Sequence, residues 1–125
     1  MKARILVIED NDKNLKLLHD VLEYAGYEVV EAKTGEDGID AAAKCSPDLV
    51  LMDLQLPGID GIQALRQLRA TRQASVPVVA VTAFAMRDDR QRILDEGFDG
   101  YLEKPISVRD FPNQIRAFLE RELAT

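Results

Sequence analysis

Basic residues are in deficit: 16 Lys and Arg stand against 22 Asp and Glu, for a net charge of −6. Phosphate backbones are held by clustered Lys and Arg, so this balance argues against a nucleic-acid partner. No apolar run approaches the roughly 18 residues that would span a bilayer. Met1-Lys2-Ala3-Arg4 leads straight into a strand-like segment without a cleavable signal pattern. Cys45 is the only cysteine, so an internal disulfide is excluded and a reducing compartment suits the chain. Linkers, repeats and low-complexity stretches are also missing. What remains is a globular composition, 46% hydrophobic and 30% charged. At 125 residues the chain makes one ordinary domain that can bury about two thirds of its unfolded surface. The expectation is a cytoplasmic protein that binds neither nucleic acid nor membrane.

Three short apolar runs stand out: Ile5-Leu6-Val7-Ile8, Leu49-Val50-Leu51-Met52 and Val78-Val79-Ala80-Val81. Each is too short for a buried helix and lacks polar alternation, as expected of strands covered on both faces of a parallel sheet. Two more polar strands, around Tyr27–Glu31 and Asp99–Glu103, suit the flanks. Between them lie helical patterns. Leu15, Leu18, Leu22 and Ala25 share one face, with Asp12 placed to cap the start and Gly26 the end. Ile39, Ala42 and Ala43 suggest a second helix that stops before Pro47, and Ile62, Leu65 and Leu68 a third. A fourth, from about Met86 to Glu96, is mostly charged, with Ile93 and Leu94 as its apolar anchors and Gly97 ending it. Phe111, Ile115, Phe118 and Leu119 mark the fifth. Pro112 would cost about 3 kcal/mol inside a helix capped by Ser107, so the regular helix is expected to start nearer Asp110 after a loose turn. Five βα units in strict alternation predict a doubly wound five-stranded parallel sheet, flavodoxin-like with strand order 2-1-3-4-5, and five helices. They span residues 1–125 as one domain, leaving nothing for an output domain.

Ligands of open α/β sheets bind beyond the carboxyl ends of the strands. The first strand ends in Glu9-Asp10-Asn11-Asp12, where a dinucleotide-binding domain would have glycines. Three carboxylates in four residues repel a phosphate and attract a cation. The third strand ends in Asp53, followed by Leu54-Gln55-Leu56-Pro57-Gly58; the fourth ends in Thr82-Ala83; the fifth runs through Tyr101 into Lys104-Pro105. Folded, the pattern gathers Glu9, Asp10 and Asp53 in one pocket, with Thr82 and Lys104 on its other side. Packed carboxylates raise one another's pKa unless a cation compensates. Oxygen ligands without His or Cys favour a hard cation such as Mg²⁺, with Mn²⁺ possible in its place, which keeps several waters and leaves room for a phosphorylated donor. Asp53 can then serve as nucleophile and phosphoacceptor, with Lys104 neutralising the transferring oxygens and the Thr82 hydroxyl donating to one of them afterwards. Taken singly these residues have plainer uses. Asp12 reads as a helix cap, Asp53 as turn chemistry before Pro-Gly, His19 as a boundary histidine and Cys45 as a small filler. The run Arg87–Arg92 reads as a solvated face laced with i,i+3 and i,i+4 ion pairs. The joint appearance at four strand ends favours function.

Glu9-Asp10, Asp53, Thr82-Ala83 and Lys104-Pro105, each after its own strand, resemble the receiver domain of bacterial two-component response regulators over the whole chain. The stretch from Val78 to Met86, with Lys104-Pro105-Ile106-Ser107, is most similar to single-domain cell-division regulators of that family. The resemblance implies that Asp53 takes phosphate from a phosphohistidine on a sensor histidine kinase or phosphotransfer protein. It implies Mg²⁺ held by Glu9, Asp10, Asp53 and the Gln55 backbone carbonyl. Lys104 would pair with the phosphoryl group, Thr82 would shift toward it, Tyr101 would turn inward behind it, and the bond before Pro105 would be cis. Gln55 and Phe84 occupy the variable positions beside the site, and the bulky Phe84 is expected to hinder attacking water. The fourth helix, with few anchors, directly follows Thr82-Ala83. The face of the fourth helix, fifth strand and fifth helix is therefore expected to carry the signal to a downstream protein. The expected protein is a monomeric phosphoacceptor switch and no enzyme beyond its own phosphorylation and dephosphorylation. Two rivals stay in view. A haloacid-dehalogenase-type phosphohydrolase needs a second acid two residues after its nucleophile, where Gln55 stands. A docking domain that is never phosphorylated would have no use for an intact set of acids, Thr82 and Lys104.

Overall fold

Strands β1 (Arg4–Ile8), β3 (Leu49–Asp53) and β4 (Val78–Thr82) form where the chain runs apolar without alternation, and all but Arg4 of them is buried. β2 (Glu28–Ala32) and β5 (Gly100–Glu103) carry Glu28, Glu31 and Glu103 and take the sheet edges. The computed structural model, which describes residues 2–71, 75–83 and 87–123, orders the strands β2-β1-β3-β4-β5 with every neighbouring pair parallel. This is the doubly wound order expected. Register pairs Asp53 with Val81 and Thr82 with Glu103, so adjoining strands bring their last residues to one end of the sheet. Phe84 and Met86 lie outside the described residues.

Helices cover both faces. α1 (Asp12–Tyr24) and α5 (Phe111–Leu123) bury Leu15, Leu18, Leu22, Phe111 and Ile115 against Ile5, Val7, Leu51 and Val79. α2 (Gly35–Cys45), α3 (Gly61–Arg69) and α4 (Arg87–Asp95) cover the other face, where Ala42, Leu65, Leu68 and Ile93 meet Leu6, Ile8, Val50, Met52 and Ala80.

Several helix details differ from the sequence pattern. Asn11, not Asp12, caps α1: its side chain accepts the N–H groups of Lys13 and Asn14, each at 3.0 Å. Asp12 sits in the first turn, where its charge favours the helix dipole, and pairs with Lys33 at 2.6 Å. Ala25 ends the helix exposed. Gly26 at φ +96° lets its own N–H reach Glu23 and that of Tyr27 reach Leu22, a Schellman closure that a side chain would strain. In α2 the inward residues are Gly35, Gly38 and Ala42, while Ala43 is exposed. A Cβ on Gly38 would come within 2.4 Å of Ile8, so the missing side chain is what lets α2 lie on β1. Ile93 anchors α4 as expected, but Leu94 is 41% exposed. Before α5, Ser107 and Asp110 form the loose turn: the Phe111 N–H donates to the Ser107 carbonyl at 2.9 Å, and the helix starts at Phe111. Pro112 thus falls in the first turn, where no intrahelical N–H bond is lost.

His19 joins α1 to the β2 edge, with one ring nitrogen 2.9 Å from Glu23 and the other 2.9 Å from Glu31. The bond to Glu23 raises its pKa above 6.5, burial pulls the other way, and Glu31 adds to the rise. A raised histidine stabilises the fold fully below its unfolded value and loses that contribution as pH climbs through the folded one. In thermal unfolding with chelator present, Tm is therefore expected to fall as pH rises above about 6.5. His19→Gln should flatten that part of the curve; an unchanged slope would show that His19 contributes nothing.

Candidate functional site

The strands on this side end in polar residues, Asp53 and Thr82 as the last residues of β3 and β4 and Glu9 and Lys104 just after β1 and β5. Glu9 follows β1, donates its N–H to the Ala32 carbonyl at 2.9 Å and is buried. Asp10 beside it is exposed. Asp53 closes β3 and is only 6% exposed. Thr82 closes β4 and is buried, and its carbonyl accepts the Lys104 N–H at 2.8 Å. The Lys104–Pro105 bond is cis.

Carboxylate oxygens of Glu9, Asp10 and Asp53 lie within 4.8 Å of one another. Both Asp53 oxygens are engaged: Oδ1 accepts the Gln55 N–H at 3.0 Å and Oδ2 the Lys104 ammonium at 3.2 Å. Lys104 also donates to Glu9 Oε1 at 2.7 Å. The second Glu9 oxygen is buried without a hydrogen-bond partner. Burial, with Asp53 alongside, pushes Glu9 above the ordinary carboxylate range, and Lys104 only partly opposes this. Burial alone would lower Lys104, but its bonds to Glu9 and Asp53 and their charges outweigh that and hold it above its usual value. One ammonium is therefore shared by an acid cluster that it does not neutralise. An orphaned buried carboxylate oxygen in an all-oxygen cluster fits a hard divalent cation.

The loop after Asp53 is held from two sides. Glu36 in α2 accepts the Ile59 N–H at 3.3 Å. Gly61 approaches so closely that a Cβ would lie 2.8 Å from the Asp53 carbonyl oxygen and 2.8 Å from Leu54 Cα. Neither residue stands out in the sequence: Glu36 acts across 23 positions, and Gly61 acts through the closeness of its backbone rather than through a side chain. Gln55 is exposed, and its N–H donates to Asp53. Tyr101 is half-buried on the α4 side of β5, its ring beneath the Arg90 guanidinium at 5.5 Å. Arg90, Gln91 and Arg92 are exposed, as expected of a solvated face, and from it Arg90 also reaches across to β5. Among the described side chains of α4, Gln91 bonds Asp95 four residues on at 2.9 Å.

Residues 5–116 match the family described as the response regulator receiver domain, and the chain belongs to it. It is 40% identical over 120 residues to the polar-differentiation response regulator DivK of Brucella ovis, covering 95% of this chain and 98% of that protein. DivK of Brucella anthropi is equally similar, 40% over 120 residues with the same coverage. The receiver domain of a Pseudomonas aeruginosa sensor histidine kinase, solved with a magnesium ion coordinated in its active-site cleft, superposes with TM-score 0.87 at 31% identity over 96% of this chain and 99% of that one. A CheY-like receiver domain from Methanospirillum hungatei gives TM-score 0.89 at 28% identity, over 99% and 98% of the two chains.

Proposed function

We propose that Asp53 is the phosphoacceptor of a two-component switch, charged by a phosphohistidine on a sensor histidine kinase or phosphotransfer protein. The observation that carries this reading is the buried Asp53 carboxylate, held by Lys104 and set among Glu9 and Asp10. Asp53 attacks phosphorus, its P–O bond forms as the P–N bond of the donor breaks, and the imidazole leaves with the bonding electron pair. Glu9, Asp10, Asp53 and the Gln55 carbonyl would hold Mg²⁺, which when bound offsets negative charge on the phosphoryl oxygens. Lys104, bonded to Asp53 Oδ2, stands ready to neutralise the same charge. The Thr82 hydroxyl, at the neighbouring strand end, donates to a phosphoryl oxygen once transfer is complete, and Tyr101 turns inward in response.

The output is protein–protein contact through α4, β5 and α5, by a monomer in the cytoplasm. Among the described residues no helix is long and apolar enough to cross a membrane. Identity with the polar-differentiation regulators supports a role in cell polarity and division. Incubation with acetyl phosphate and Mg²⁺ is expected to add one acid-labile phosphoryl group per chain by intact mass, and EDTA to prevent it. Turnover of a small phosphate ester would point instead to a phosphohydrolase. No uptake at all would point to a docking domain independent of phosphorylation.

A further inference from the structure

The C-terminal end of α4 is fastened to the core. Near its C-terminus Ile93 is buried, and Phe98 follows it into the core. Arg69 of α3 reaches the same region: its guanidinium pairs with Asp99 at 2.9 Å and bonds the Gly97 carbonyl at 3.4 Å. Asp99 also accepts the Val78 N–H at 2.7 Å, which ties the turn after α4 to the start of β4. In the middle of the helix Arg90 provides a link of a different kind. Its guanidinium lies 5.5 Å from the centre of the Tyr101 ring and 3.6 Å from the Glu103 carboxylate. Tyr101 and Glu103 are two apart on β5, so they share one face of the strand, and Arg90 clasps both.

We propose that Arg90 is a positioning residue for Tyr101: it holds the ring in its half-buried place under α4 and, by the same contact, ties the middle of α4 to β5. The inference rests on the reading of Tyr101 as part of the switch. A cation over an aromatic face is attracted to the ring whatever the state of the distant site, so the clasp favours the resting arrangement. Turning Tyr101 inward requires the ring to leave Arg90. Release of the ring in turn frees α4 to pivot about Ile93 and the Arg69–Asp99 anchor. A partly exposed clasp of this kind biases a two-state equilibrium by roughly two- to five-fold, enough to tune a switch without locking it.

The test is fluorine NMR of protein carrying meta-fluorotyrosine, with the Tyr101 resonance assigned by Tyr101→Phe, alongside amide exchange of α4. Wild type, Arg90→Ala and Arg90→Lys are compared at rest, and wild type again after acetyl phosphate with Mg²⁺. Arg90→Ala is expected to move the Tyr101 resonance and speed α4 exchange by roughly two- to five-fold. Arg90→Lys, which keeps a cation over the ring, should fall between. If Arg90→Ala leaves both readings at wild-type values, the proposal is overturned, even where phosphorylation moves Tyr101. If Arg90→Ala moves the resonance and phosphorylation does not, the clasp stands and the switch role of Tyr101 falls.

Discussion

Asp53→Asn is expected to bring phosphoryl uptake from a phosphohistidine donor down to background while the fold persists. The substitution is isosteric. The amide oxygen can still accept the Gln55 N–H that now meets Oδ1 at 3.0 Å, so the loop after β3 keeps its anchor. What disappears is the anion. A neutral amide is a poor nucleophile toward phosphorus, and the two acids that remain, Glu9 and Asp10, follow β1 rather than ending β3. Removing one of three crowded carboxylates also relieves repulsion, so a denaturation midpoint near the wild-type value is expected. Undiminished labelling of the variant in a phosphotransfer assay would refute the assignment.

Lys104→Ala should damage the protein in two separable ways. Its ammonium is the shared partner of Glu9 Oε1 and Asp53 Oδ2, at 2.7 and 3.2 Å. Without it Glu9, whose other oxygen already lacks a partner, is left buried with no donor to its side chain among the described residues. Stranding a buried polar group costs about 1–3 kcal/mol, and the 1% exposure of the Glu9 carboxylate argues for the upper part of that range. The loss has a definite pH dependence. Loss of Lys104 lets burial raise the Glu9 pKa further. A raised carboxyl favours the fold below its unfolded value and loses that advantage as pH climbs. The deficit of Lys104→Ala in chelator should therefore widen as pH rises above about 4.5. Mg²⁺ should narrow it, because the competing ammonium is gone. Phosphoryl acceptance should fall by about 10²–10³-fold even at saturating Mg²⁺, the usual effect of deleting one charge-stabilising donor from an active site. A variant as stable as wild type in chelator at neutral pH, or one that accepts phosphate at the wild-type rate, would contradict this account.

The parts of the molecule that could be read from sequence are those set by strong local signals. Leu49–Met52 and Val78–Val81 admit few alternatives to buried parallel strands, and their order places Asp53 and Thr82 at neighbouring ends. The acid cluster was legible for the same reason, since carboxylates after two adjacent strands must meet. Small residues hid the rest. Gly35 and Gly38 carry no apolar signal, yet they are the inward face of α2, and Ala43 looked equally suited to it. At the start of α1 the run Asp10-Asn11-Asp12 offers three capping-competent side chains, and backbone geometry rather than composition selects Asn11. Leu94 resembles an anchor as much as Ile93 does; the side chain that meets the core is settled by how α4 is rotated on the sheet. Arg90 was the least legible. A long cationic side chain on a charged helix reads as solvated, and only the nearness of β5 gives it Tyr101 and Glu103.

Chemical trapping of the phosphorylated residue tests the central claim most directly. Protein charged by acetyl phosphate or a phosphohistidine donor is reduced with borohydride, which converts an aspartyl phosphate to homoserine, and the modified peptide is sequenced by mass spectrometry. Homoserine at position 53 alone is the predicted result. Homoserine at position 10, or a phosphoryl group that resists reduction because it sits on His19 or a hydroxyl, would contradict the account.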